Sequence, residues 1–386
     1  LAAAHSSQLP APSPEALALS ERLRRHIASE IERGDGWVSF ARYMELALYA
    51  PGLGYYMAGA RKLGRDGDFV TAPEISSLFG RAVARQLRQL ADLVPGDVLE
   101  IGAGSGVLAA DLLLELERLG GAPAHYLILE LSPDLRERSR DTIAARAPHL
   151  IERVAWLNQL PPRFEGVIVG NEVLDAMPVH VFQRDGGRVH ELGVALENGE
   201  FRWKPREESA PAAIDPSWFP VDGCRGEVQL VACAFIRGLG HMLTRGAALF
   251  FDYGFPRREY YHPQRVRGTL MCHYRHRAHD DPFLLPGLQD MTSHIDFTAI
   301  AEAGRDAGLE LLGYASQAQF LVNCGITDLL GEAPAAEVAA YAPLAAQVQK
   351  LTSPAEMGEL FKVIALAKGL RGPLLGFARG DRAHAL

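Results

Sequence analysis

The chain has 386 residues, 48% of them hydrophobic and 22% charged, with a formal net charge of −8. That length accommodates a core domain with a cap or insertions, and the balance of apolar and charged residues is that of a globular chain rather than a disordered one. The acidic surplus argues against a nucleic-acid groove as the main surface, and no apolar run reaches the ~20 residues of a membrane span.

Leu1–Pro14 is rich in Ala, Ser and Pro, without the basic start and apolar centre of a signal peptide, and is expected to be a loose tail. Residues 15–33 and 37–49 follow with Leu, Ile and Met recurring at three and four, which predicts two helices. The segments Pro51–Tyr56 and Gly64–Pro73 are glycine-rich and aromatic, a long irregular stretch of the kind that carries function. A further helix is expected from about Glu74 to Leu93.

From Asp97 the pattern changes to alternation. Strand 98–101 runs into Gly102-Ala103-Gly104-Ser105-Gly106, helix 105–119 follows, and strand 126–130 ends on Glu130. Ser132-Pro133-Asp134 opens another helix, with Ser132 as its cap and Pro133 in its first turn. Strands near 152–156 and 166–170 continue the series. This order predicts an α/β fold with a mostly parallel sheet, whose ligands bind at the carboxyl ends of the strands. Gly102, Glu130, Leu157 and Asn171 all fall there.

Residues 179–204 interrupt the rhythm. Asp185-Gly186-Gly187 and Glu197-Asn198-Gly199 each sit between alternating runs and signal hairpins. We expect a β-rich insertion over 179–226, then helix 227–243, strand 247–252 and a last strand near 360–366. The resulting division is a tail, helical cap and lid loop over 1–90, sheet-domain segments over 91–178 and 227–370, and a tail over 371–386. The four cysteines, Cys224, Cys233, Cys272 and Cys324, form no C-x-x-C pair and read as reduced thiols of a cytoplasmic protein.

The glycine turn indicates a nucleotide-type pocket, with Glu130 one strand away to hold two ribose hydroxyls. A dinucleotide fingerprint, G-x-G-x-x-G, wants its third glycine where Val107 stands. The E-x-G-x-G-x-G form, beginning at Glu100, instead resembles motif I of class I methyltransferases. Asn171-Glu172-Val173-Leu174-Asp175 follows the fourth strand of the sheet, where a carboxylate can take a proton or clamp a guanidinium. Asp175 equally suits a helix cap. In the loop Gly67–Glu74, Phe69 is expected to shield the pocket and Glu74 to reach it, although Pro73 also fits a purely structural helix start. His273, His276 and His279 recur every third residue, a spacing that does not gather three imidazoles on one face, so no metal is expected.

Taken together, Tyr43–Tyr56, Gly67–Ser76, Glu100–Gly106, Asn171–Val179, Asp252-Tyr253-Gly254 and Tyr274–Asp280 resemble the MidA-type S-adenosylmethionine-dependent methyltransferases, over roughly residues 20–370. The resemblance implies a class I, Rossmann-like methyltransferase fold with an N-terminal helical cap and a β-rich insertion. It implies S-adenosylmethionine as cofactor and S-adenosylhomocysteine as product, held by Gly102, Gly104, Gly106, Glu130, Leu131, Leu157, Phe69, Thr71 and Pro73. Catalysis would fall to Glu172, Asn171 and Asp175, and substrate binding to Tyr274, His276 and Asp280. Mitochondrial members are regarded as protein-arginine methyltransferases that act in assembling respiratory complex I, so a protein substrate such as a respiratory-complex subunit is implied. Two positions depart from the family's pattern: Met271 stands where Arg or Lys is expected, and His273 where an aromatic is.

The expected function is therefore methyl transfer from S-adenosylmethionine to a protein arginine. The contrasting reading is a non-catalytic assembly factor that keeps the cofactor-binding fold. A nicotinamide oxidoreductase is disfavoured by Val107. A bacterial cytoplasm is the expected location, no nucleic-acid partner is expected, and the β-rich insertion is a candidate homodimer surface.

Overall fold

In chain order, the strands that carry the glycine turn are β1 (Asp97–Ile101), β2 (Tyr126–Leu129), β3 (Val154–Leu157), β4 (Phe164–Asn171), β5 (Leu243–Phe255), β6 (Glu310–Ser316) and β7 (Phe361–Lys368) in a computed structural model of the chain. The structure describes residues 9–58, 70–333 and 338–386. These strands lie in the order β3-β2-β1-β4-β5-β7-β6. Neighbours from β3 to β5 are parallel, whereas β7 runs antiparallel to both β5 and β6. The chain builds outward from β1 to β3 on one side and from β4 onward on the other. Its direction of travel thus reverses between β1 and β4, the place where doubly wound sheets bind ligands.

Local sequence accounts for these elements. Val167, Ile168 and Val169 of β4 are all buried, the continuous apolar run of a strand covered on both faces. Each such side chain contributes roughly 1.5–3 kcal/mol by leaving water. Helix α1 (Ser77–Leu93) buries Leu78, Phe79, Ala82, Val83, Leu87 and Leu90, one helical stripe. Helix α2 (Val107–Arg118) buries Leu108, Leu112 and Leu116 and also two acids. These acids are paired: Glu115 lies 3.0 Å from Arg81 and 2.6 Å from Arg118, and Asp111 bonds Arg146. Helix α3 (Pro133–Arg146) starts as expected, with Ser132 accepting from the Leu135 amide and Pro133 in the first turn.

The chain divides into two units. The α/β unit comprises Val70–Val173, Cys233–Pro256 and Phe297–Leu386. The β-rich unit comprises Leu1–Phe69, Leu174–Ala232 and Arg257–Asp296. Segment 179–226 interrupts the α/β unit in sequence and shares its unit with the N-terminal helices Pro14–Arg33 and Phe40–Tyr49. Leu23, Ile27, Tyr43 and Met44 from those helices pack with Val181, Leu192, Val194 and Phe201 from the hairpins in one apolar core. Residues 70–90, grouped above with the cap, belong to the α/β unit, and residues 257–296 to the β-rich one.

Both expected hairpins form, as Arg188–Glu197 pairs antiparallel with His180–Asp185 and with Glu200–Ser209. Several boundaries differ from expectation, for reasons of capping and pairing. The helix expected from 74 to 93 is broken at Ser76, whose extended backbone ends a short turn at Ala72–Ile75 and whose side chain caps α1. Val38-Ser39 pairs with Val194 and Gly193, so the second helix begins only at Phe40. Arg225–Val228 pairs with His180–Gln183, which delays the next helix to Leu230.

Candidate active site

Past Ile101 the chain turns through Gly102, Gly104 and Gly106 at φ of +68°, +55° and +79°. A Cβ on Gly106 would lie 2.6 Å from the Ser139 Cα, so this glycine answers to the close approach of α3. The three glycine amides are engaged: Gly102 donates to the Leu129 carbonyl at 2.9 Å, Gly106 to that of Ala103 at 2.9 Å, and Gly104 to Glu130 Oε2 at 3.1 Å.

Glu130 follows β2 and is 8% exposed. Its other oxygen accepts from the Ser132 amide at 2.9 Å. The carboxylate is thereby oriented by two backbone amides, one of them in the glycine turn, as a group meant for hydroxyl donors requires. Glu100, two residues before the turn, is fully enclosed and accepts from the Tyr126 hydroxyl at 2.7 Å. Burial pushes its carboxyl up to about 7, the nearby Glu130 charge adds to this, and the Tyr126 hydrogen bond opposes it. Sequence reading marked Glu100 only as part of the motif; its partner Tyr126 begins the neighbouring parallel strand.

The segment 70–76 is tied to both sides of the switch point. The Ala72 amide donates to Glu172 Oε1 at 3.4 Å, and the Ser105 hydroxyl donates to Glu74 Oε1 at 2.7 Å. Thr71 precedes this short turn without a side-chain cap bond, and Pro73 is buried within it. Phe69 lies outside the described residues.

Glu172 has φ of +52°. This left-handed backbone costs a non-glycine residue of order 1 kcal/mol and is the kind of strain found at functional positions. Its amide extends the β4–β5 ladder by donating to the Phe251 carbonyl at 2.8 Å. Asn171 Nδ2 donates to Glu172 Oε1 at 3.1 Å, and Asn171 Oδ1 is buried with no hydrogen-bond partner among the described residues. Leu131 is 59% exposed beside Glu130. The Leu157 carbonyl accepts from Arg136 at 3.3 Å, and the same guanidinium nitrogen lies 2.6 Å from Asn158 Oδ1. Trp156, packed under Arg140 at 4.8 Å, donates to Ser139 Oγ at 2.9 Å.

The remaining expected site residues belong to the β-rich unit. Asp175 is 4% exposed, and its carbonyl accepts from the Ser293 amide at 3.0 Å. Tyr274 is buried, His276 is exposed at a hairpin tip with φ of +61°, and Asp280 is exposed 3.4 Å from Arg267. These three are not gathered: Tyr274 points inward while the other two face solvent. Among the described residues no three of His, Cys, Asp or Glu come together as a metal-ligand group.

This geometry suits S-adenosylmethionine. The carboxylates of Glu74 and Glu130 are hydrogen-bonded to the turn, which disfavours a phosphate there and favours a cationic sulfonium and ammonium. The buried, unpaired Asn171 Oδ1 adds an acceptor at the same strand ends.

Comparison with known proteins agrees. A family described as "Putative S-adenosyl-L-methionine-dependent methyltransferase", Methyltransf_28, matches residues 78–315. Mouse mitochondrial protein arginine methyltransferase NDUFAF7 is 30% identical, the match covering 89% of this chain and 83% of the mouse protein. Its Drosophila melanogaster homologue is 28% identical over 96% of this chain and 92% of its own length. A COG1565 superfamily protein from Burkholderia thailandensis, solved with S-adenosyl-homocysteine bound, superposes with a TM-score of 0.95 at 51% identity, covering 98% of this chain and all of that one. The chain belongs to the Methyltransf_28 family of S-adenosyl-L-methionine-dependent methyltransferases.

Proposed function

We propose that the chain methylates a protein arginine side chain. The observation that carries the donor half is the Glu130 carboxylate held by the Gly104 amide at 3.1 Å, an acid beside the glycine turn oriented for ribose hydroxyls. The acceptor class is supported by the relatives named protein arginine methyltransferases.

Bound S-adenosylmethionine supplies an electrophilic methyl on a sulfonium, so the C–S electron pair stays with sulfur as the new C–N bond forms. The chain's own task is positioning and proton removal. Glu130 and the glycine turn hold the donor, with Leu131, Leu157, Thr71 and Pro73 around it. Glu172 accepts the proton that the guanidinium nitrogen loses as it becomes methylated, and Asn171 holds the Glu172 carboxylate in place through its Nδ2. Asp175 is assigned to the acceptor side.

Calorimetric titration with S-adenosylhomocysteine tests the donor half, with NAD as the comparison. Micromolar, one-to-one binding is expected for S-adenosylhomocysteine alone. Glu130→Ala should weaken it by roughly 100-fold, from charge-assisted hydrogen bonds of about 1.5–3 kcal/mol each. Binding of NAD in its place would overturn the reading. Glu172→Gln separates an enzyme from a cofactor-holding assembly factor: it should leave S-adenosylhomocysteine affinity within about threefold while methyl transfer falls by roughly 100-fold or more.

A further inference from the structure

Side chains alternate along β1, so Val98 and Glu100 point to one side of the sheet. Glu100 lies opposite Ile128 of β2 and Val169 of β4, and both of these are buried in the large apolar core of the α/β unit. An acid at such a position is costly unless its charge is compensated or its proton is kept. Among the described residues no basic side chain bears on Glu100. Its partners are the Tyr126 hydroxyl, which donates to Oε2 at 2.7 Å, and the Glu130 carboxylate beyond the end of β2. Burial raises the carboxyl to about 7, the Tyr126 bond opposes this, and the Glu130 charge adds to it. The Tyr126 phenol is itself pushed well above its ordinary value, by burial and then by Glu100, so it remains a donor.

Glu100 therefore senses charge at the donor site without touching it. The carboxylate whose field reaches it, Glu130, is the one that the Gly104 and Ser132 amides hold beside the glycine turn. In an enclosed, weakly screened setting, a further charge at that turn acts on Glu100 in the same way. S-adenosylmethionine brings a positive sulfonium there, and S-adenosylhomocysteine, otherwise the same molecule, brings a neutral thioether. A carboxyl poised between its two protonation states near neutral pH responds to that single difference.

We propose that Glu100 discriminates the sulfonium donor from the thioether product, releasing its proton when S-adenosylmethionine binds and keeping it when S-adenosylhomocysteine binds. The inference rests on the donor half of the proposed function and adds a specificity-determining residue that acts through charge rather than contact. The sulfonium stabilises the ionised carboxyl, so donor affinity rises with pH across the Glu100 titration while product affinity stays level. A unit charge about 10 Å away in an effective dielectric of about 20 lowers a carboxyl midpoint by roughly one pH unit. Preference for donor over product should then grow about fivefold from pH 6 to pH 8, with about 0.4 proton released per donor bound at pH 7. Methyl transfer abolishes the sulfonium charge, and Glu100 then takes a proton back from solvent, so the spent cofactor is held less tightly than the donor at neutral and higher pH.

The test titrates the full chain calorimetrically with S-adenosylmethionine and with S-adenosylhomocysteine at pH 6, 7 and 8. Each titration is run in phosphate and in imidazole at equal ionic strength, and the difference in heat counts the protons released. Glu100→Gln cannot ionise, so the released proton assigned to Glu100 should vanish. Its donor affinity should be about tenfold below the wild type at pH 8 but only about twofold below at pH 6, with S-adenosylhomocysteine affinity within about twofold throughout. Titration of the ligand's own amino group is common to both proteins and cancels in the comparison. Tyr126→Phe removes the hydrogen bond that holds the Glu100 midpoint down and should move the whole window to higher pH, a movement that a merely structural role does not produce. Three results would overturn the inference: equal proton release by the wild type and Glu100→Gln, equal release with both ligands in the wild type, or a donor-to-product affinity ratio at pH 8 that Glu100→Gln leaves unchanged. Each of them leaves the donor assignment standing as long as S-adenosylhomocysteine binds. A wild-type chain that binds neither ligand overturns the donor assignment and this inference together.

Discussion

Glu100 links the glycine turn to the stability of the sheet, and Glu100→Gln makes the link measurable. The side chain is 2% exposed, and its carboxyl titrates near 7 in the folded chain against 4.5 as the ordinary value. Below pH 4.5 both states hold the proton and the acid has no effect on stability. Between 4.5 and 7 the folded chain keeps a proton that the unfolded chain sheds, so unfolding becomes easier as pH rises. Above 7 the full penalty is present, at most about 3 kcal/mol from 1.36 kcal/mol per pKa unit. Glutamine keeps an acceptor for the Tyr126 hydroxyl but cannot ionise. The variant should therefore match the wild type near pH 4.5 and gain on it steadily up to pH 8. Urea unfolding followed by circular dichroism at constant ionic strength gives the difference directly. A gap between the two proteins that is the same at pH 5 and pH 8, or one that grows in favour of the wild type, would refute the reasoning, because it would mean that Glu100 is charged and compensated in the folded state.

Two further substitutions probe the turn itself. Gly106→Ala places a methyl 2.6 Å from the Ser139 Cα in a backbone with φ of +79°, so α3 must move or the turn must open. Roughly 2–4 kcal/mol of destabilisation is expected, read as a lower urea midpoint, together with loss of S-adenosylhomocysteine binding. Glu74→Ala removes the acceptor of the Ser105 hydroxyl and with it one tether of segment 70–76. A hydrogen bond of about 1 kcal/mol predicts S-adenosylhomocysteine release that is roughly fivefold faster in stopped-flow dissociation, with little change in association.

The α/β unit was legible because its signals are local. Apolar runs of four or five residues, a glycine turn, and Ser132-Pro133 at a helix start each state their structure within a few positions. Parallel pairing then follows from their alternation with helices. What escaped were features decided by distant partners. Val38-Ser39 reads as helix until Val194 and Gly193 recruit it as a strand, and Arg225–Val228 reads as helix until the hairpin at His180 does the same. The β-rich region looks like an insertion because its strands are contiguous in sequence, yet its apolar core is closed by helices from the other end of the chain.

The candidate site divides along the same line. Its donor side, Gly102 to Gly106 with Glu130, has fixed spacing and could be read directly, because strand, turn, helix and acid are consecutive elements. Its acceptor side depends on the phase of a strand, and period two gives no sign of which face is which until the partner strand is known. Reading the segment 269–281 for polar side chains selects Tyr274, His276 and Asp280, of which the first is buried and the other two face solvent. Pairing with 290–292 fixes that phase, because Cys272 and Met291 point together into the apolar core of the β-rich unit, and no local spacing in the sequence announces it.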